Sequence, residues 1–87
     1  MVRRGAVPTK LDPRTEQVAG EIGRRLRRAR EAGGLSQATL AEKIGMTRGN
    51  LARIEAGRTN VTVESLVRIA GGVGLRVRVV LGRREDR

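Results

Sequence analysis

Three segments between residues 37 and 72 each follow a hydroxyl side chain, and this pattern most constrains the fold. The three hydroxyl residues, with the segments that they precede, are Ser36 (37–44), Thr47 (48–56) and Thr62 (63–72). A side-chain oxygen in this position accepts a hydrogen bond from a free backbone amide at the start of a helix. Gly45 and Gly57 follow the first two segments, where a left-handed glycine commonly ends a helix. The chain is therefore predicted to contain three consecutive short α-helices.

A longer helix is predicted before these three, over residues 15–32. Its apolar residues recur at helical spacing and are expected to form its buried face: Val18, Ile22, Leu26 and Ala29. Four arginines occupy the remaining faces: Arg24, Arg25, Arg27 and Arg28. Gly33 and Gly34 end the run. Residues 1–14 contain two prolines and show no apolar period, which predicts a flexible N-terminal arm.

The chain has 87 residues, enough for one small domain, and its composition excludes most enzyme chemistry. It contains no Cys and no His, so it has no disulfide, no zinc site of the usual kind, no thiol nucleophile and no imidazole base. It also contains no aromatic residue, which argues against proteins that bind unpaired bases by stacking. We expect a protein that is not an enzyme and that needs no cofactor or metal.

The charge of the chain indicates a polyanionic partner. Lys and Arg number 19 against nine Asp and Glu, which gives a formal net charge of +10. The alternative is that the excess of arginine reflects only the composition of the source genome. No segment is apolar enough to cross a membrane or to serve as a signal peptide, so a cytoplasmic location without a membrane partner is expected.

The apolar period changes from helical to alternating after Gly74. The alternating residues are Leu75, Val77, Val79 and Leu81, and they predict a β-strand over residues 75–82, followed by a charged tail at 83–87. Three arrangements are open: antiparallel pairing with the same strand of a second chain across a dimer axis, pairing with the N-terminal arm, or an unpaired tail.

The pattern of residues between 36 and 70 resembles the phage-repressor and Cro type (XRE family) of helix-turn-helix domain. The residues that carry the resemblance are Ser36-Gln37, Leu40-Ala41, Gly45, Leu51, Ile54-Glu55, Gly57, Ser65-Leu66 and Ile69-Ala70. The resemblance implies an all-α, four-helix, lambda-repressor-like bundle over residues 15–74, with helix 48–56 entering the DNA major groove. The family usually adds a fifth helix. The strand pattern in its place resembles the antitoxins of bacterial toxin–antitoxin pairs.

The candidate DNA-binding residues lie around helix 48–56. They are Ser36, Gln37, Thr47, Arg48, Gly49, Asn50, Arg53, Arg58 and Asn60. Arg48, in the first turn, is expected to contact a guanine edge, and Arg53 a phosphate or a base. Gln37 begins helix 37–44, where free amides favour a phosphate, and its side chain can also brace the neighbouring helix. The alternative for both arginines is a solvated basic face.

The remaining candidates have less specific expectations. The resemblance implies DNA-backbone contacts at Arg58 and Asn60, although Asn60 is also a common turn residue. Gly49 stands where many relatives have a side chain that reads a base, which implies relaxed selectivity there. Asn50 has an amide suited to adenine or to the DNA backbone.

Glu55 is expected to form an ion pair because it lies at the edge of the inward face of a helix that meets a polyanion. An unpaired buried carboxylate there would be costly. The resemblance implies a cationic partner late in the first helix, and Arg30 is the matching residue.

These observations lead to two functional hypotheses. The first is a homodimeric repressor that binds double-stranded DNA at an inverted-repeat operator, with Leu75, Val77, Val79 and Leu81 joining the two chains. The alternative is an antitoxin of a type II toxin–antitoxin pair, which binds a toxin protein and regulates its own promoter.

Overall fold

The computed structural model describes residues 11–83, which form four α-helices. These are α1 (Pro13–Ala32), α2 (Gln37–Ile44), α3 (Arg48–Glu55) and α4 (Val63–Gly72). The all-helical prediction is therefore confirmed for the bundle. The N-terminal arm was predicted to extend to residue 14, but α1 begins at Pro13. Residues 1–10 and 84–87 lie outside the described residues.

The early start of α1 is explained by its cap. The Asp12 side chain accepts hydrogen bonds from the backbone amides of Arg14 and Thr15, both at 3.0 Å. Pro13 occupies the first helical position, where its missing N–H costs nothing. These hydrogen bonds, first of all the one from the Thr15 amide, lower the pKa of Asp12. The pair Asp12-Pro13 was a local signal for this boundary.

The caps predicted for the three short helices are present. Ser36 Oγ accepts from the Thr39 amide at 3.0 Å. Thr47 Oγ1 and Thr62 Oγ1 accept from amides three residues ahead, at 3.1 and 3.0 Å. Gly45, with φ +70°, ends α2 in the left-handed conformation. Local hydrogen bonds thus define both ends of α2, and the two elements α2 and α3 form the helix-turn-helix.

The hydrophobic core lies where the four helices converge, and it is entirely aliphatic. Its fully buried side chains are Leu40, Leu51 and Ile69, one each from α2, α3 and α4. Ile54 of α3 and Ala70 of α4 are also buried in this core. This core fixes the orientation of α3 and leaves its opposite side in solvent.

The buried face of α1 includes Leu26 and, in part, Ile22 as predicted, but it otherwise differs from the predicted face. Its buried residues are Ala19, Gly23, Leu26 and Arg30, whereas Val18 is 54% exposed. The reason is a close approach of two backbones. A Cβ atom added at Gly23 would lie 2.5 Å from the carbonyl oxygen of Glu55 and 2.6 Å from that of Ile54. Helix α3 therefore packs directly on the backbone of α1.

The C-terminal strand prediction is not supported by the single chain. Residues 75–83 form no β-ladder, because a strand needs a hydrogen-bonded neighbour and none lies beside them within residues 11–83. Val77 is half-buried and packs against the core. Val79, Val80 and Leu81 are 73%, 80% and 91% exposed. The four residues assigned to dimerisation therefore do not share one exposed face in the isolated chain.

The part of the chain that the structure describes contains neither a membrane-spanning helix nor a cluster of metal ligands. No helix between residues 11 and 83 has both the length and the apolar character needed to traverse a membrane. Within the same range, no group of three or more acidic side chains is placed to hold a metal ion.

Candidate nucleic-acid interface

The exposed side of α3 is basic, and one position between its two arginines has no side chain. Arg48 and Arg53 are exposed, and Gly49 between them presents only backbone. Arg53 Nη2 lies 3.4 Å from Asn50 Oδ1, a long hydrogen bond that links the two side chains. Neither Arg48 nor Arg53 forms an ion pair with another residue in 11–83. Both guanidinium groups can therefore bind an anionic ligand.

Behind this face, a buried ion pair joins α1 to α3. Arg30 Nε donates to Glu55 Oε2 at 2.7 Å, and Arg30 Nη2 donates to Glu55 Oε1 at 3.0 Å. Arg30 Nη1 also donates to the Leu35 carbonyl at 2.7 Å. Arg30 and Glu55 are only 8% and 6% exposed. A bidentate pair of this kind is geometrically specific, and the Arg30–Glu55 pairing implied by the resemblance is present.

Gln37 extends this link to α2. Its Nε2 donates to Glu55 Oε1 at 3.1 Å, so one carboxylate joins α1, α2 and α3. Burial of Glu55 opposes its ionisation, but the hydrogen bonds from Arg30 and Gln37 outweigh that effect and lower the pKa of Glu55. The carboxylate is thus ionised at neutral pH and its charge is directed at Arg30. It adds no free negative charge to the exposed side of α3.

A basic cleft lies between the N-terminal ends of α2 and α3 and the second half of α1. Its lining residues are Arg27, Arg30, Ser36, Gln37, Ala38 and Arg48. We call it the Arg27 cleft. The predicted residues Ser36, Gln37 and Arg48 therefore lie together. The Ser36 hydroxyl also donates to Thr39 Oγ1 at 2.9 Å, so that side chain is already used in the cap.

A second cleft lies at the opposite end of α3. Its lining residues are Leu11, Glu16, Gly20, Arg24, Ala56, Gly57 and Arg58. We call it the Arg24 cleft. The predicted residue Arg58 lies here, and it is exposed. The two clefts therefore border α3 at its two ends.

Two predicted residues have other surroundings. Asn60 lines a mostly apolar groove against the N-terminal half of α1, with Val18, Ile22 and Val61, and not either basic cleft. Thr47 uses its hydroxyl as the cap of α3.

Arg24 and Arg27 line the basic clefts but were not among the sequence candidates. The sequence showed that both belong to the arginine-rich part of α1, but helical periodicity alone does not show which of these arginines lie beside α3.

The chain is similar to known proteins over the region that contains the helix-turn-helix. Residues 26–79, which include α2, α3 and α4, match the profile of a family described as Helix-turn-helix. The immunity repressor protein of Bacillus phage phi105 is 36% identical over 61 residues. That alignment covers 70% of this chain and 42% of the phage protein, so the chain spans less than half of that relative.

Two solved structures are similar in fold. The restriction-modification controller protein C.AhdI from Aeromonas hydrophila matches with a TM-score of 0.66 and 33% identity, over 69% of this chain and 91% of C.AhdI. The clp gene regulator ClgR from Corynebacterium glutamicum matches with a TM-score of 0.66 and 28% identity, over 79% of this chain and 67% of ClgR. These three similar proteins are thus a repressor, a controller and a gene regulator.

Proposed function

This chain belongs to the XRE-type helix-turn-helix family of DNA-binding transcription regulators, and from this we propose that it is a homodimeric repressor that binds an inverted-repeat operator. The observation that carries the proposal is the exposed basic side of α3 beside a carboxylate whose charge Arg30 neutralises and to which Gln37 donates a hydrogen bond. Its action is occlusion of a promoter, with no chemical step.

The proposed docking places α3 in the major groove. An α-helix with its side chains is about 10–12 Å across, which fits a groove about 12 Å wide. Arg48, in the first turn of α3, then meets a base edge, and a bidentate contact to guanine O6 and N7 is the commonest specific contact of arginine. Gly49 contributes no side chain and permits close approach of the backbone to the groove.

The other contacts are proposed to be with phosphates. Gln37 lies at the N-terminal end of α2, where free amides favour an anion, and its hydrogen bond to Glu55 orients the side chain. Arg53, in α3, and Arg58, shortly after it, are both exposed cations. If a dimer neutralises about eight phosphates, the logarithm of affinity should fall with the logarithm of salt concentration with a slope near −7.

The proposed dimer uses the C-terminal tail. Val79, Val80 and Leu81 are apolar and at least 73% exposed in the single chain. Antiparallel pairing of two tails would bring Val79 and Leu81 of both chains onto one apolar face and satisfy the backbone groups of both tails. The two α3 helices would then read half-sites about 34–36 Å apart on one face of the duplex.

Selection of bound duplexes from a random library, at about 0.15 M salt, tests this proposal. The expected result is an inverted repeat with half-site centres about 10–10.5 base pairs apart, or a multiple of that distance. Arg48→Ala, selected in parallel, should lose preference at one position of each half-site. Salt-sensitive binding without an enriched sequence would refute specific recognition, and an enriched direct repeat or single site would refute the symmetric dimer.

The exposed tail also supports the antitoxin alternative, in which a toxin protein covers the same apolar residues. Co-expression with a toxin encoded beside this gene separates the two hypotheses. A stable complex that occupies the tail would support the antitoxin, whereas free homodimer after co-expression would support the repressor alone.

A further inference from the structure

Four arginines of α1, namely Arg24, Arg25, Arg27 and Arg28, differ in what they face, because one flank of this helix packs against α3. Gly23 meets the backbone of α3 at Glu55. A Cβ added at Gly57, just after α3, would lie 2.7 Å from the Cα of Gly20. Gly20 and Gly23 therefore mark the flank of α1 that borders α3. Arg24 and Arg27 follow these glycines by four residues each, which places them on the same flank.

Arg27 borders the N-terminal end of α3. It lines the Arg27 cleft together with Arg48 and Gln37. Its Nε donates to Glu31 Oε2 at 3.1 Å, and its side chain is 63% exposed. This hydrogen bond restrains the side chain, while the Nη groups form no other side-chain hydrogen bond within residues 11–83.

Arg24 borders the opposite end of α3. It lines the Arg24 cleft with Arg58 and Ala56, and Glu16 is the acidic residue there. Neither Arg24 nor Arg58 forms an ion pair with another residue in 11–83. Each end of α3 therefore has an exposed arginine of α1 beside it.

We propose that Arg24 and Arg27 bind phosphates of the DNA backbone beside the groove that α3 enters, so that α1 is a third DNA-contacting helix. This inference rests on the proposed function. The major groove is about 12 Å wide and admits one α-helix. A helix that lies alongside α3 therefore faces the sugar–phosphate backbone and not the base edges. Contacts from α1 add affinity and orientation, and they add no sequence preference.

The chain contains a matched control. Arg25 lines a groove against α4 and the tail, and Arg28 lines neither basic cleft. The variants Arg24→Gln/Arg27→Gln and Arg25→Gln/Arg28→Gln each remove two charges from the same helix. Each also removes one exposed ion pair, Arg27–Glu31 in the first and Arg25–Glu21 in the second. General electrostatic attraction and helix stability thus change alike in both variants.

The test measures the dissociation constant against salt concentration for wild type and both variants, on the selected operator and on a scrambled duplex. Thermal melting checks that all three proteins are folded. For Arg24→Gln/Arg27→Gln the salt slope should become shallower by about 1.8 per bound chain. Its affinity should fall by the same factor on both duplexes. Arg25→Gln/Arg28→Gln should keep the wild-type slope.

Equal changes in the two variants would overturn the inference, because the arginines would then act only through net charge. No change in either would overturn it as well, and the proposed function would stand if wild type still selects its operator. A loss confined to the operator would mean base contact and not phosphate contact. Wild type that binds no duplex would refute the proposed function itself.

Discussion

Replacement of Gly23 by alanine tests the packing of α1 on α3, because helix propensity and steric overlap change the free energy of unfolding in opposite directions. In the interior of a helix, alanine is more favourable than glycine by about 1 kcal/mol. Against this, the new Cβ would lie 2.5 Å from one carbonyl oxygen of α3 and 2.6 Å from another. Overpacking costs about 1–3 kcal/mol, and backbone atoms cannot relieve it by changing rotamer. The upper end of that range applies, so we expect a net loss of about 2 kcal/mol.

Thermal unfolding followed by circular dichroism measures this loss. For a domain of this size 1 kcal/mol corresponds to about 4–8 °C, so Gly23→Ala should lower Tm by about 8–16 °C. Gly71→Ala is the matched control, because it makes the same change in α4, where no atom lies within 4 Å of the added Cβ. Its Tm should equal or exceed that of wild type. A Gly23→Ala protein that melts with the control would refute the backbone contact.

Two further predictions concern the ion pair and the tail. Glu55→Gln leaves Arg30 buried without a counter-charge and should lose about 3 kcal/mol at neutral pH. Because folding lowers the pKa of Glu55, wild type loses this stabilisation as the pH falls through that lowered pKa. Denaturant titrations should therefore show the two proteins converging in acid, and a constant difference would contradict the assignment. Val79→Asp/Leu81→Asp should convert a dimer into a monomer in sedimentation equilibrium with little change in helix content. An unchanged mass would place the dimer contact elsewhere.

The features that could be predicted from sequence are those determined by a few neighbouring residues. The caps at Ser36, Thr47 and Thr62 depend on one hydroxyl and an amide three residues ahead, so each helix start was readable from the chain. The Arg30–Glu55 pair is not local, and it was expected only because the resemblance supplied a partner 25 residues away.

The features that were missed depend on how elements meet. Periodicity counts apolar side chains, so it assigned Val18 to the core of α1 and did not identify Gly23, whose importance is the absence of a side chain. The same limit hid Arg24 and Arg27, since only the packed fold shows which flank of α1 borders α3. The alternation after Gly74 predicts a strand only if a second strand pairs with it, and local sequence does not specify that partner.

The direct contact between the backbones of α1 and α3 has a consequence for the thermodynamics of DNA association. A helix fixed by carbonyl-to-glycine packing and by a bidentate ion pair has little conformational entropy left to lose on the operator. We therefore expect association to resemble docking of rigid bodies, with a heat-capacity change that reflects only the surface buried between protein and DNA and no additional term from coupled folding of the reading helix.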